Sequence, residues 1–376
     1  MAEYLTNTAD LTKVASAIRE KGGTSDPLVY PDGFVTAIQA IQTGTELQII
    51  VTVTSGATVT ATKGSLSVSG TSVNGTCTLT VPETGTWSVS ATLGGQTSDT
   101  KTVSITDSYA VELKFVSSTL NDNEWSVIKS VSDAGQSENY WSIGDRKEVT
   151  LNGTVGHLSL SNYTTYAFII GFNHNSSVEG TNRIHFQLGK TALSGGTDVA
   201  LCDSKYQSQA PATGYFSMND SGTNSGGWKS SQMRTAICGT SLSSYSGTII
   251  AVIPAALRAV LKSVTKYTDN TGGGSTAASA VTATTDYFFL LSEYEVFGSI
   301  SRANSNEASK QAQYAYYSAG NSKIKYKHDG TSTAAIWWLR SPCASYSHSF
   351  VFVYTGGTVS NLDARYSLGL APGFCV

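Results

Sequence analysis

Apolar residues near the start of the chain recur at the spacing of one helix face. The spacing i, i+3, i+4, i+7 runs over residues 8 to 20, with Thr8 or Asp10 as N-cap, and Gly22-Gly23 ends it. A second short helix is predicted to begin near Pro31-Asp32. The apolar positions are Leu11, Val14, Ala15 and Ile18, then Phe34, Ile38 and Ile41. Such short helices cannot bury these faces alone, so we expect them to pack on each other and on a partner chain.

From Glu46 to about Thr106 the apolar period changes to two, which is typical of half-buried strands. Glycine-containing turns such as Asn74-Gly75 separate the runs. Some six or seven short strands in about 60 residues predict a small immunoglobulin-like sandwich. The inward positions are Val51, Val53, Val59, Ala61, Leu66, Val68, Leu79, Val81, Trp87, Val89, Ala91, Val103 and Ile105.

Residues 107 to 376 mix strands with a few helices. One helix is predicted to begin at Pro254, which would occupy its first helical position. Its apolar face would consist of Leu257, Val260, Leu261 and Val264. Its opposite face would carry Arg258, Lys262 and Lys266, which we interpret as a solvated charged face.

Composition narrows the class of protein. Of the 376 residues 14% are charged, the formal net charge is −3 and the pI is near 6.0. This balance argues against a nucleic acid or a charged membrane surface as the main partner. The many Gly, Tyr, Ser and Thr residues are typical of β-rich extracellular or virion surfaces. The start of the chain has no signal-peptide pattern, and no apolar run predicts a transmembrane helix.

Patterns for catalysis and metal binding are weak. The histidines show no HxxH or HExxH spacing and the five cysteines show no CxxC pair, so no metal site or cofactor is predicted and the thiols are expected to be buried. A calcium site formed by distant residues stays open. Glu293 and Glu295 would share one face of a strand, which could mimic a glycosidase pair but is favoured as an exposed strand end. Lys323, Lys325 and Lys327 are interpreted as a solvated strand face.

A segment between Pro342 and Leu368 is rich in tyrosine and serine and poor in aliphatic residues. Tyr and Ser supply amphipathic contact area and adaptable hydrogen bonds at a low cost in rotamer entropy, as in antibody paratopes. Phe350 and Phe352 fit two interpretations, core packing or display, and both stay open here. The predicted ligand-binding residues are Ser345, Tyr346, His348, Tyr354, Asn361, Asp363, Arg365 and Tyr366.

Two resemblances to known families add to these patterns. Residues 4–38, with YLTN, AIREKGGTS and YPDGFVTAI, are similar to a module at the start of tail proteins in phages of Gram-positive hosts. Five later blocks resemble a C-type-lectin-like domain of phage and bacterial surface proteins, including variable proteins diversified by retroelements. They are NYWSIGD at 139–145, IIGFNH at 169–174, GGWKSSQMR at 226–234, YFFLLSEYEV at 287–296 and IWWLRSP at 336–342.

The chemistry of particular side chains in and near the last block predicts their roles. Trp337, Trp338 and Phe374 would be core anchors, and Arg340 would order a turn through backbone carbonyls. In the family, the stretch that corresponds to 342–368 is the displayed, variable surface.

We therefore expect a mainly β fold with an α+β C-terminal domain. Residues 1–45 would form a helical module for virion attachment and oligomerisation, 46–106 an immunoglobulin-like spacer, and 107–376 a C-type-lectin-like domain.

The resemblances imply a phage tail receptor-binding protein, without enzymatic activity, in virions assembled in the host cytoplasm. Its partners would be a host cell-surface protein or glycan and other tail proteins, with a homotrimer expected by analogy with tail fibres. A glycan depolymerase and a purely structural decoration protein stay open as alternatives.

Overall fold

The computed structural model describes residues 8–22, 25–40 and 46–376. The fold is mainly β, with several separate sheets. The chain divides into two compact units, which we call unit 1 and unit 2. Unit 1 contains residues up to 93 together with 102–113, and unit 2 contains 94–101 together with 114–376. The expected division into three parts at 45 and 106 stays a prediction.

Unit 1 begins with the two short helices that the apolar spacing predicts. Helix α1 spans Thr8–Gly22 and α2 spans Asp32–Ala40. Ala15, Ile18 and Phe34 form their small buried core. Val14 and Ile38 were expected on the buried faces, but 49% and 53% of their surfaces are exposed. Ile41 lies outside the described residues.

The strands of unit 1 alternate buried and exposed side chains, as the period of two predicts. They are β1 Gln48–Thr52, β2 Thr58–Lys63, β3 Leu66–Thr71, β4 Thr76–Thr80, β5 Gly85–Leu93, β7 Lys101–Ile105 and β8 Tyr109–Glu112, whereas the short strand β6, Gln96–Thr97, lies in the stretch 94–101 of unit 2. One sheet has the order β4-β1-β8, and in another β3 pairs with β2, β2 with β5, and β7 with β5. Trp87, Val89 and Ala91 all point inward from β5. Leu66 and Val68 are not buried, because β3 exposes most of its length.

The main strands of unit 2 are β9 Arg146–Val155, β10 Leu158–Phe172, β11 Ile184–Lys190, β12 Val199–Ala200, β13 Val264–Asp269, β14 Val281–Asp286, β15 Phe288–Phe289, β16 Lys325–Lys327, β17 Gly330–Ala335, β18 Trp337–Pro342, β19 Ser349–Val353, β20 Val359–Asp363 and β21 Gly373–Cys375. The unit is built around a five-stranded antiparallel sheet with the order β15-β21-β11-β10-β9. The C-terminal strand β21 lies inside this sheet, between β15 and β11. The other sheets have the orders β12-β16-β17, β13-β14 and β18-β19-β20.

Helices in unit 2 are short. They are α3 Trp125–Asp133, α4 Ser176–Glu179, α5 Gly227–Ser230, α6 Ile249–Val252, α7 Ala255–Arg258, α8 Glu293–Phe297 and α9 Ala315–Ser318. Short 3-10 segments span Leu120–Asp122, Ser137–Asn139, Ala278–Ala280 and Ser305–Lys310, and a π-helical turn spans Met233–Cys238. No helix in the described ranges is long and apolar enough to cross a membrane.

The long helix predicted to begin at Pro254 is wrong. Pro254 is the N-cap of the four-residue helix α7, and the chain is already in strand β13 at Val264. Lys266 is therefore not solvated but 1% exposed, because on a strand it points to the interior. Arg258 and Lys262 are half-buried and bond to backbone carbonyls, including those of Ile250 and Asn182.

The expected core anchors are confirmed. Trp337, Trp338 and Phe374 are completely buried. Phe374 stacks on Phe186 with ring centroids 5.3 Å apart, so the end of the chain is held in the centre of the core. The expectation for the thiols is confirmed as well, since Cys77, Cys202, Cys238, Cys343 and Cys375 are all free and buried.

Candidate functional site

The tyrosine- and serine-rich segment folds as the three-stranded sheet β18-β19-β20 with its connecting loops. Strand β19 is buried along its whole length and β20 is half-buried. Phe350 and Phe352 are 0% and 4% exposed, which decides between their two interpretations in favour of packing. The display positions are therefore confined to β20, to the loop before β19 and to the turns.

A shallow, open cleft of about 350 Å³ lies beside this sheet. Four of the predicted binding residues line it, from the loop before β19 and from β20. They are Tyr346, His348, Asn361 and Asp363. Arg302, Ser349 and Leu362 complete the lining and were not predicted. This volume is near the lower end of the range of about 300–1,000 Å³ that is typical of ligand pockets.

Polar groups in the cleft are largely unpaired. Among the residues that the structure describes, the side chains of Arg302, Tyr346, His348 and Asn361 make no hydrogen bond or ion pair. Tyr346 is 49% exposed, and its ring lies 5.9 Å from the His348 ring. Unpaired hydrogen-bonding groups around a concavity are available for a ligand.

Asp363 is the lining residue with a strong partner. Its Oδ1 accepts from Nε of Arg365 at 3.1 Å, and its Oδ2 accepts from Nη2 at 3.0 Å. Partial burial alone would raise the pKa of Asp363, but the hydrogen bonds and charge of Arg365 outweigh it and lower the pKa. The carboxylate therefore stays charged and is fixed in orientation.

A buried asparagine holds the backbone of the exposed loop that precedes β19. Nδ2 of Asn224 donates to the carbonyl oxygens of Tyr346 and Ser349, at 2.8 Å each, and to that of Cys343 at 3.2 Å. Oδ1 of Asn224 accepts from the N–H of Gly273 at 2.7 Å. The loop thus presents exposed side chains on a fixed backbone, which is the usual arrangement of a binding loop on a rigid scaffold.

Arg302 reaches the cleft from a different part of the chain. The carboxylate of buried Glu293 accepts from the backbone N–H groups of Ser301 at 2.6 Å, of Arg302 at 3.1 Å and of Ala303 at 2.7 Å. The carbonyl of Arg302 accepts from the N–H of Ala344. Glu293 therefore positions the loop that carries Arg302 beside the loop that carries Tyr346.

The predicted strand around Glu293 and Glu295 is wrong. These residues begin helix α8, which Ser292 caps with a capping box. Oγ of Ser292 accepts from the N–H of Glu295, and Oε2 of Glu295 accepts from the N–H of Ser292, both at 3.0 Å. Both carboxylates are buried and serve internal contacts, unlike a glycosidase pair that faces a substrate.

The other predicted binding residues lie outside the lining of the cleft. Ser345 is exposed in the same loop, and Tyr354 is 52% exposed where β19 ends. Arg365 acts through Asp363, and half-buried Tyr366 packs against the core. They flank the cleft in sequence, and the structure does not gather them into a second site.

A second concentration of polar side chains is sealed inside unit 2. Arg340 donates to both carboxylate oxygens of Glu295, and Nζ of Lys266 lies 3.0 Å from Oε1 of Glu295. Burial would raise the pKa of Glu295, but the charges of Arg340 and Lys266 outweigh it and hold the pKa well below its ordinary range. Arg340 also donates to the carbonyls of Leu290 and Tyr267, so the expected ordering through carbonyls is present beside an unexpected ion pair.

Three side chains in this interior could ligate a metal by their spacing. Donor atoms of His174, Glu179 and His185 all lie within 4.8 Å of one another. However, Nδ1 of His174 is 3.1 Å from Oε1 of Glu179, and Nζ of Lys266 is 2.7 Å from Oε2. A buried ammonium thus already neutralises the carboxylate, and we assign the group to the internal ion network. Local sequence motifs missed it because tertiary contacts bring its members together.

Lys323, Lys325 and Lys327, on β16 and next to it, were expected to be solvated. For Lys325 this prediction is wrong. Lys325 is 1% exposed, and burial lowers its pKa to about 8. Its Nζ lies 3.8 Å from Oδ2 of Asp198 and donates to Oε1 of Gln187. Lys323 and Lys327 are half-buried.

Comparison with known protein families finds one match, and it lies in the C-terminal part of the chain. Residues 200–376 match the model of a domain family of unknown function, DUF6273. The matched region contains the whole lining of the cleft. No curated protein matches the chain, and no solved structure matches it.

Proposed function

We propose that the chain is a phage tail receptor-binding protein, and that the cleft beside β18-β19-β20 is the centre of its recognition surface. In this proposal residues 46–106 form an immunoglobulin-like spacer and residues 107–376 a C-type-lectin-like domain. The domain binds a host cell-surface ligand and performs no catalysis. The protein is a component of the virion tail.

One observation carries this proposal. Tyr346, His348, Asn361 and Arg302 surround an open cleft with side chains that make no hydrogen bond or ion pair with the described residues, while buried Asn224 and Glu293 fix the backbone beneath them. A surface that is fixed but unpaired suits a binding site, because little entropy is lost when a ligand orders it.

The N-terminal helices support a separate role in assembly. Val14, Val35 and Ile38 of α1 and α2 are each about half exposed. Exposed aliphatic groups on such short helices favour contact with other chains, and we propose attachment to tail proteins and a homotrimer through this segment.

The rival functions are a glycan depolymerase and a structural decoration protein. The two buried carboxylates of α8 bind the protein itself, which favours a binding protein over the depolymerase. Release of reducing sugar from host envelope by the purified protein would instead support the depolymerase.

Adsorption of the purified full chain to a panel of Gram-positive cells tests the proposal. Tyr346→Ala should weaken adsorption by on the order of 2 kcal/mol, as for a hot-spot residue. Its stability should change by no more than about 0.5 kcal/mol, because the side chain is exposed.

Tyr109→Ala is the matched control, since Tyr109 is 46% exposed on β8 in unit 1. It should adsorb like the parent. Equal adsorption by the parent and the Tyr346→Ala variant would contradict the placement of the recognition surface, and adsorption to no cell would contradict the proposed function.

A further inference from the structure

The lining of the cleft also indicates the chemistry of its ligand. From Arg302, Tyr346, His348 and Asn361 we infer that the cleft binds an anionic glycan, with its oxyanion on Arg302 and its hydroxyl groups on β20. This inference rests on the proposed function and specifies the class of ligand.

Arg302 supplies an unpaired positive charge to the cleft. Arg302 is exposed in the cleft, and its guanidinium has no acceptor among the residues that the structure describes. A guanidinium matches the planar geometry of two oxygens and binds carboxylate or phosphate bidentately. The Arg365 guanidinium, by contrast, is already paired with Asp363.

The charged side chains in and beside the cleft do not cancel. Asp363 is the acidic residue in the lining, and Arg365 neutralises it at 3.0 Å. The side chains that line the cleft, counted with Arg365, therefore carry an excess of one positive charge, although the whole chain has a net charge of −3. A local excess of positive charge favours an anionic ligand over a neutral one.

The lining of the cleft is mostly polar. Leu362 is its aliphatic member, and it packs against the core. A protein ligand would require a desolvated pocket for an apolar or aromatic anchor. The cleft instead offers an amide at Asn361, a carboxylate at Asp363 and a phenol at Tyr346, which are donors and acceptors for hydroxyl groups.

Tyr346 supplies an aromatic surface to the cleft. Tyr346 presents a half-exposed ring beside these polar groups. A pyranose ring has C–H groups on its faces and hydroxyl groups around its edge. It can therefore place one face on the Tyr346 ring and its hydroxyl groups on Asn361 and Asp363, while a carboxylate or phosphate substituent contacts Arg302.

The test uses the protein-free envelope polysaccharide of cells that adsorb the chain, in native, carboxyl-reduced and dephosphorylated forms. Binding of the full chain is measured by titration at low and high salt. We expect the native form to bind and one of the two treated forms to lose binding by about tenfold or more, which identifies the anion as carboxylate or phosphate. High salt should weaken binding to the native form.

Arg302→Gln should reproduce this loss of about tenfold on the native polysaccharide. Lys229→Gln is the matched control, because it removes the same charge from an exposed residue that does not line the cleft, and it should bind like the parent. Equal binding of all three polysaccharide forms, or of the parent and Arg302→Gln, would overturn the anionic-glycan inference. Loss of adsorption after the cells are treated with protease would also overturn the anionic-glycan inference. That result would leave the proposed function standing.

Discussion

Two arginines of unit 2 have opposite surroundings. Arg340 is completely buried, is paired with Glu295 and donates to two carbonyls. Arg302 is exposed in an open cleft, and its guanidinium has no partner within the described ranges. The buried group holds the fold together, whereas the exposed group is free to meet a ligand. Residue type alone does not separate these roles, because access and partners decide them.

The same contrast holds for the carboxylates of the two regions. Glu293 and Glu295 are both buried and bind backbone or buried cations. Asp363 faces the cleft and is oriented by Arg365. Unit 2 therefore keeps one group of charges for its interior and presents another at its surface.

The largest expected difference in stability is between identical substitutions of the two arginines. Arg340→Met should destabilise the protein by roughly 3–5 kcal/mol, because it leaves Glu295 buried with only part of its compensation. Arg302→Met should change stability by no more than about 0.5 kcal/mol. Denaturant melts followed by tryptophan fluorescence measure both variants, and similar midpoints for the two would contradict the contrast between them.

A smaller effect is expected where the interior supports the cleft. Asn224→Ala removes the donors for the carbonyls of Cys343, Tyr346 and Ser349, and should cost about 1–3 kcal/mol of stability. It should also weaken cell adsorption, since the backbone of the Tyr346 loop loses its support. Asn361→Ala is the complementary variant and should reduce adsorption with nearly unchanged stability. If Asn224→Ala keeps both properties of the parent, the loop does not depend on this anchor.

The last expected effect is a change in the pH dependence of stability. Glu307 is completely buried, and burial raises its pKa from 4.5 in the unfolded chain to about 7, against hydrogen bonds from the Asp269 N–H and from Ser341. Between these values the folded protein binds more protons than the unfolded chain, so stability falls as the pH rises.

Glu307→Gln should remove this part of the dependence, and melts at pH 5 and pH 8 should then differ less than those of the parent. Glu138→Gln, at an exposed residue, is the control and should keep the parent's difference. An unchanged pH dependence in Glu307→Gln would show that Glu307 is not the group that titrates.

The sequence predicts features that depend on local pattern. The alternation in unit 1 places Trp87, Val89 and Ala91 inward, and the tyrosine- and serine-rich composition identifies the segment that supplies Tyr346 and Asn361 to the cleft. Such features follow from spacing along a single element.

Features that depend on tertiary partners were missed. Lys266 fits the helical spacing of Arg258 and Lys262, yet it lies on a strand because the interior supplies Glu179 and Glu295 as partners for its charge. Arg302 carries no local signal, since it reaches the cleft through the backbone contacts that Glu293 makes. Spacing along the chain cannot reveal partners that come from distant segments.

Hydrogen exchange of the full chain, with and without the envelope polysaccharide of adsorbing cells, tests the central claim most directly. Bound polysaccharide should protect backbone amides in residues 300–303, 344–349 and 359–366, the three segments that surround the cleft. Amides of the buried strands β10 and β11 should be unchanged. Protection confined to unit 1, or to surfaces of unit 2 away from these segments, would contradict the claim that the cleft is the recognition surface.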